Sequence, residues 1–387
     1  MRVRIVTLVV LFSVGCGRVG DETVTPTPDA ADAEIGPTVP IFVSAGGAHA
    51  CAVFSTGETW CWGRGQEGEL GNGGALDSPW PVRVDLPAAT AVSAGNEFSC
   101  AVTRDGGVWC WGSNGQLQLG NDTMTTALRP VRVEGLAPAT AIAAGGGHAC
   151  ALLADQTVAC WGDDTHGQLG DRGKMPSAHP VAAISTSKYT AVTAGELHTC
   201  AITTDATLEC WGYADDGQIG VSLPGRNTVP MPVKGFTDIA SAAADYTQTC
   251  AVTHAGAVLC VGRNGAGELG DGTEVIATFP PAMPKLPSAT AVAVGNQFSC
   301  ATTADALWCW GVGDLGEHAD GTLESSLVPT RSPHAFVQID AGGSSACGLT
   351  PDHRVLCWGD DETGQLGDGT KALARSTPVE VVFPRGA

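Results

Sequence analysis

Fourteen cysteines recur in pairs along this 387-residue chain: Cys51 and Cys61, Cys100 and Cys110, Cys150 and Cys160, Cys200 and Cys210, Cys250 and Cys260, Cys300 and Cys309, and Cys347 and Cys357. A fifteenth, Cys16, stands apart. Cysteines at this density bind metal, carry out redox chemistry or cross-link the chain, and their spacing decides among these. The partners lie ten residues apart six times and nine once, flanking turns such as Ser55-Thr56-Gly57. In a tight antiparallel hairpin that spacing sets the two residues opposite each other, where Cα separations of ~4.5–5.5 Å suit a disulfide. Seven bridges are therefore expected, with reduced buried cysteines as the alternative. No CxxC pair or Cys/His cluster has zinc-ligand spacing, so neither a metal nor a cofactor is expected. Two GxGxxG matches, Gly63–Gly68 and Gly311–Gly316, open no helix of a βαβ unit and so lack the N-terminus that binds pyrophosphate. His49, His148 and His198 share one repeat position with Phe98 and Phe298, which argues against a ligand ring. There is no HExxH, no GxSxG and no other catalytic constellation. The chain reads as a non-enzyme.

The elements that must hold these cysteines repeat with them. HACAVFSTGETWCWG around Cys51 recurs six times, and the first cysteines follow one another at close to fifty residues. A fixed period of this length governs the fold. Within a unit, AVSAG (91–95), SCAVT (99–103), VWCWG (108–112) and PVRV (130–133) are short, rich in Val, Trp or Cys, and bounded by Gly, Asp and Pro. Those are strand signals with no room for a helix. Glycine at 52 of 387, about twice its usual ~7% share, agrees. The expectation is an all-β, seven-bladed β-propeller of about 50-residue repeats with four short strands per blade, over residues 41–387. Tryptophan follows the second cysteine in six units, with Val261 the exception, and is expected to pack between blades. PVEVV (378–382) is expected to pair with strands near 41–61 and close the ring.

WGRGQEGELG (62–71), WGSNGQLQLG (111–120), WGDDTHGQLG (161–170), WGYADDGQIG (211–220), VGRNGAGELG (261–270) and WGDDETGQLG (358–367) share one signature. With the preceding AG and CA segments, this pattern resembles the regulator of chromosome condensation repeat family, which implies a seven-bladed propeller. Blade six departs at WGVGDLGEHADG (310–321), and blade five has Asp245 where the others have glycine. The family's founding members are guanine-nucleotide exchange factors on chromatin. No motif here aligns with an exchange site, so that activity is not carried over.

Forty acidic residues against 20 basic give a formal charge of −20, which would repel a nucleic-acid backbone. Nucleic acid is not expected as a partner. Met1 to Gly15 carry Arg2 and Arg4, an apolar stretch and a small residue before Cys16, and resemble a bacterial lipoprotein signal with Cys16 as the lipid attachment. Ser13 departs from that motif, and ordinary cleavage without lipidation is the alternative. Residues 16–40, rich in Pro, Thr and Asp, read as a disordered tether. On this reading the chain is a monomeric envelope protein, an outer-membrane lipoprotein or a periplasmic or extracellular one, touching membrane through its lipid alone.

The most variable loop follows each Trp-Gly pair, and equivalent loops of a propeller gather on one face. Arg64, Asn114, Asp164, Tyr213, Asp216, Arg263 and Asp361 are the candidate partner-binding residues of that face, with solvated turns as the alternative. Their mostly acidic character suits a basic partner. The functional expectation is an exported, lipid-anchored scaffold for a protein or surface polymer. The alternatives are an inhibitor of an exported enzyme, or a hydrolase or lyase with a central carboxylate site.

Overall fold

The computed structural model describes residues 38–221 and 226–384. The leader expected at 1–15, the lipid attachment at Cys16 and all but the last residues of the tether lie outside the described residues. Residues 37–387 form one compact unit. Its 28 strands, numbered in chain order among the described residues, make seven four-stranded antiparallel sheets. The first blade is β1 (Pro40–Ala45), β2 (His49–Phe54), β3 (Thr59–Gly63) and β4 (Ser78–Val84), hydrogen-bonded in that order. The other six repeat it. This is the seven-bladed propeller that the repeats imply.

The four strands differ because their surroundings differ. Every residue of β2, HACAVF, is buried, since a middle strand lies between two neighbouring blades and has no solvent face. The outer strand β4 mixes exposed and buried positions. Each outer strand also holds a proline, at Pro81, Pro130, Pro180, Pro232, Pro281, Pro329 and Pro378. Proline lacks the N–H that would extend a ladder, so the rim of the ring does not recruit a further strand.

Each cysteine pair sits directly opposite across the second and third strands of its blade, as Cys51 does with Cys61. All seven pairs are disulfide-bonded, with Cα atoms 4.0–4.1 Å apart. The shorter spacing of Cys300 and Cys309 keeps the same register because its turn is one residue shorter.

Closure differs from expectation. The last strand, β28 (Ala372–Glu380), pairs with β27 (Val355–Asp361) inside the seventh blade and does not join the first. The reason is phase: each repeat starts at its innermost strand and ends at its outermost, so the seventh blade is complete without borrowing. Side-chain contacts and one backbone bond, from Gly369 N–H to the Pro79 carbonyl at 3.0 Å, close the ring instead. Gln338 of β25 (Gln338–Gly342) donates to the Val43 carbonyl at 2.9 Å and accepts from Val43 N–H at 3.1 Å. The Ser44 hydroxyl donates to Asp340 at 2.8 Å. Phe383, just past β28, meets Phe54 and Trp62 edge-on, with ring centres 4.9 and 5.8 Å away.

The tryptophans do pack between blades, and they also latch them. Trp111 donates its indole N–H to the Glu69 carbonyl of the preceding blade at 2.6 Å, and Trp62 donates to Gln365 of blade seven at 2.9 Å. Trp161, Trp211, Trp310 and Trp358 do the same. Val261 cannot, and fully buried Phe236 shares its cluster at that joint. The shared histidine position is a second latch. His49, His148 and His198 contact Ser99, Thr199 and Thr249 of the next blade at 2.7–2.9 Å. Burial holds all three rings neutral, pushing their pKa values down to about 3, 4 and 3.

Candidate functional site

An antiparallel up-and-down blade puts the turn after its first strand and the loop after its third strand at the same end of the ring. That end carries the seven candidate face residues. Three of them are corrected: Asn114, Asp164 and Asp361 are fully buried. Each accepts the backbone N–H of the leucine five residues on, at 3.0, 3.0 and 3.2 Å, and so staples its own loop. Arg64 and Arg263 are also engaged within the loops. Arg64 bridges Glu97 at 3.0 Å and the buried Glu69 at 3.6 Å, and Arg263 approaches the buried Glu268 at 4.0 Å. Tyr213 lies edge-on to His166 with ring centres 5.1 Å apart, and Asp216 is half-buried. The acidic rosette is therefore mostly a set of internal fasteners.

Sequence reasoning missed the feature at the centre of this end. The first strands, β1, β5 (Ala89–Ala94), β9 (Ala139–Ala144), β13 (Tyr189–Ala194), β17 (Ile239–Asp245), β21 (Ala289–Gly295) and β25, line an axial channel of about 280 Å³. Its wall is mostly Ala, Gly and Ser, because a larger side chain has no room where seven strands converge. Glycines narrow the mouth. Gly47 N–H donates to the Gly95 carbonyl at 3.0 Å, Asn96 N–H to Gly145 at 3.2 Å and Gly146 N–H to Gly195 at 3.3 Å, so the blades are joined through backbone there. A Cβ on Gly95 would come within 2.6 Å of the Gly145 carbonyl oxygen.

Asp245 interrupts that glycine ring. With Glu196 and Asp340 it makes the channel acidic, and no Lys, Arg or His lines it. Asp340 is committed to structure, accepting from Ser44 and from Ala45 N–H at 3.1 Å, and burial pushes its pKa up to about 6. Asp245 is held well above the usual carboxylate range, by burial first and then by Glu196 and Asp340. Burial raises Glu196 as well, and lifts the neighbouring Tyr246 to about 12. Asn96, Gly146 and Glu196 also border a second hollow of about 440 Å³, lined by Glu97, Gln116 and Asp163 among others.

Farther from the axis, the loops between the third and fourth strands raise apolar side chains into solvent. Leu76 is 81% exposed, Met175 78% and Leu373, at the start of β28, 71%. Met124, Val275 and Leu323 occupy the corresponding stretches of their blades and are also exposed. Among the described residues no group of three or more His, Cys, Asp or Glu could hold a metal ion. The glycine-rich stretches 63–68 and 311–316 lie in the equivalent loops of blades one and six, where Gly65 and Gly313 stand in place of the staple and donate their N–H groups to Asp77 and Ser325 at 3.2 Å. The face offers acceptors and apolar contacts, which is the chemistry of recognition.

Residues 10–344 match the family model described as the RCC1-like domain, and 336–365 match the regulator of chromosome condensation (RCC1) repeat. The chain belongs to the RCC1-like domain family. Over 99 residues it is 32% identical to the mitochondrial RCC1 domain-containing protein RUG3 of Arabidopsis thaliana, a match spanning 24% of this chain and 22% of that protein. The fold is similar to human WBSCR16, with a TM-score of 0.77 at 20% identity over 84% of this chain and 94% of the other. It is equally similar to Prp20p of Saccharomyces cerevisiae, with a TM-score of 0.77 at 19% identity over 89% and 88%. Prp20p was described together with its binding to Gsp1p and histones.

These comparisons correct the envelope reading. The three proteins just named come from a plant, a human and a yeast, and the plant protein is mitochondrial by name. The family match begins at residue 10, inside the stretch read as a leader. A short apolar run after two arginines was a compositional signal alone. The signal peptide, the lipid anchor at Cys16, the cell-envelope location and the surface-polymer partner are therefore withdrawn, and the exported-enzyme inhibitor falls with them.

Proposed function

We propose that this chain is a non-catalytic RCC1-like scaffold that docks a soluble protein on the face bearing the channel mouth and the long loops. The observation that carries this reading is the crown of exposed apolar side chains, Leu76, Met124, Met175, Val275 and Leu323 on the loops and Leu373 at the start of β28. Exposed apolar side chains repeated around one face mark contact surfaces, because leaving them in water gains nothing for the fold. Prp20p supports protein recognition by this architecture, while at 19% identity it lends the fold and not its partners. The test is a triple substitution, Leu76→Ser, Met175→Ser and Leu373→Ser, compared with the unaltered chain in affinity capture from its own cells. Capture of a discrete protein that is lost in the variant, with an unchanged melting temperature, is the expected result. Equal capture by both would overturn the reading.

A further inference from the structure

We infer that the mouth of the axial channel is a receptor for a lysine ammonium group carried on the partner's chain. This rests on the reading of the same face as the docking surface and names what its centre accepts. Six blades place glycine at the mouth and only blade five places a carboxylate there, Asp245, so the acidic group departs from the repeat. One Asp245 oxygen takes the Tyr246 N–H. The other, Oδ2, is buried with no hydrogen-bond partner, and the residue that carries it lines the channel. A buried acceptor left unpaired costs about 1–3 kcal/mol, more when charged, and a donor arriving from outside would remove that cost.

Glu196 stands near it across the joint between blades four and five, and its charge adds to the burial that raises the proton affinity of Asp245. No Lys, Arg or His stands in the lining to balance their charge. A compact metal ion fits poorly, since the described residues hold no group of three ligands and Asp340 is already engaged. The channel, about 280 Å³, lies at or below the ~300–1,000 Å³ of small-molecule sites and suits one slender side chain. Asn96, Gly146 and Glu196 belong to both the channel and the outer hollow. A polypeptide lying in that hollow could therefore lower a lysine into the mouth.

The experiment is calorimetric titration of the whole chain with hexalysine, and separately with spermidine. Asp245→Gly installs the residue that six sister blades carry, and Glu196→Gln keeps shape and removes charge. Asp205→Asn makes the same change in net charge on an exposed turn at the opposite end. Asp245→Gly and Glu196→Gln should each weaken hexalysine about tenfold or more, while Asp205→Asn changes it less than about twofold. Similar losses in all three would mean general attraction to an acidic protein and would overturn the site. Spermidine binding at the same affinity and displacing hexalysine would overturn the protein-borne source. The crown variant should bind hexalysine normally, so failure of this site and failure of the docking face are separable.

Discussion

Asp164 occupies a position that two sister blades fill with asparagine. Asn114 and Asn264 accept from a leucine N–H and also donate, to Thr123 and Thr273 carbonyls at 2.8 and 2.9 Å. Asp164 has the first bond but cannot donate when ionised, and its Oδ2 is buried without a partner. Burial raises its pKa to about 6, with Asp171 and Asp163 adding to the shift. A folded-state pKa above the unfolded one means the native chain binds that proton more tightly, so stability falls as pH rises from about 4 to 6 and stays lowered above. Asp164→Asn should therefore stabilise by about 1–2 kcal/mol near pH 8 and by little near pH 4, read from thermal or urea melts. These fasteners were hard to see in the sequence, because a polar residue beside Gly reads as a solvated turn. The available signal was restriction: this position holds only Gly, Asn, Asp or Ala in the seven blades, whereas the next one holds Gln66, Asp215 and Glu362. The departure at Asp245 was visible. Its consequence was not, since the sequence does not say which strand lines the axis.

At the scale of the strand, the cysteine spacing and the apolar runs were legible because each depends on a local rule. Cross-strand pairing needs a short hairpin, and a strand buried on both faces needs no alternation. The pairing places fourteen cysteines in seven disulfides, so thiol titration of the denatured, unreduced chain should find at most one free thiol, from Cys16. Removing one bridge by Cys150→Ala with Cys160→Ala should cost about 2–3 kcal/mol, the loop-closure value for a ring of about eleven residues, and leave ligand binding intact. A smaller loss would mean that the hairpin is ordered without its cross-link. Ring closure was not legible, because PVEVV reads as a strand whichever sheet it joins. What decides is the phase of the repeat relative to the blade, and that is set by packing around the axis.

The whole molecule is a ring closed at one joint by contacts between its first and last blades in sequence. Phe383 is half-buried against Phe54 and Trp62, so Phe383→Ala should cost about 1–3 kcal/mol, and more than a comparable truncation at an internal joint. Melting of the variant should open blades one and seven first, seen as early hydrogen exchange in β1 and β28. The proposed docking face takes one end of the ring, and the other end carries the tight turns between second and third strands. Photo-cross-linking residues placed singly at Leu76, Met175 and Leu373, and at the opposite-end turns Asp155, Asp205 and Asp352, test that polarity in the chain's own cells. Discrete adducts with one soluble protein from the first set and none from the second are predicted. Adducts from the second set alone, or equally from both, would contradict a docking face at the channel mouth.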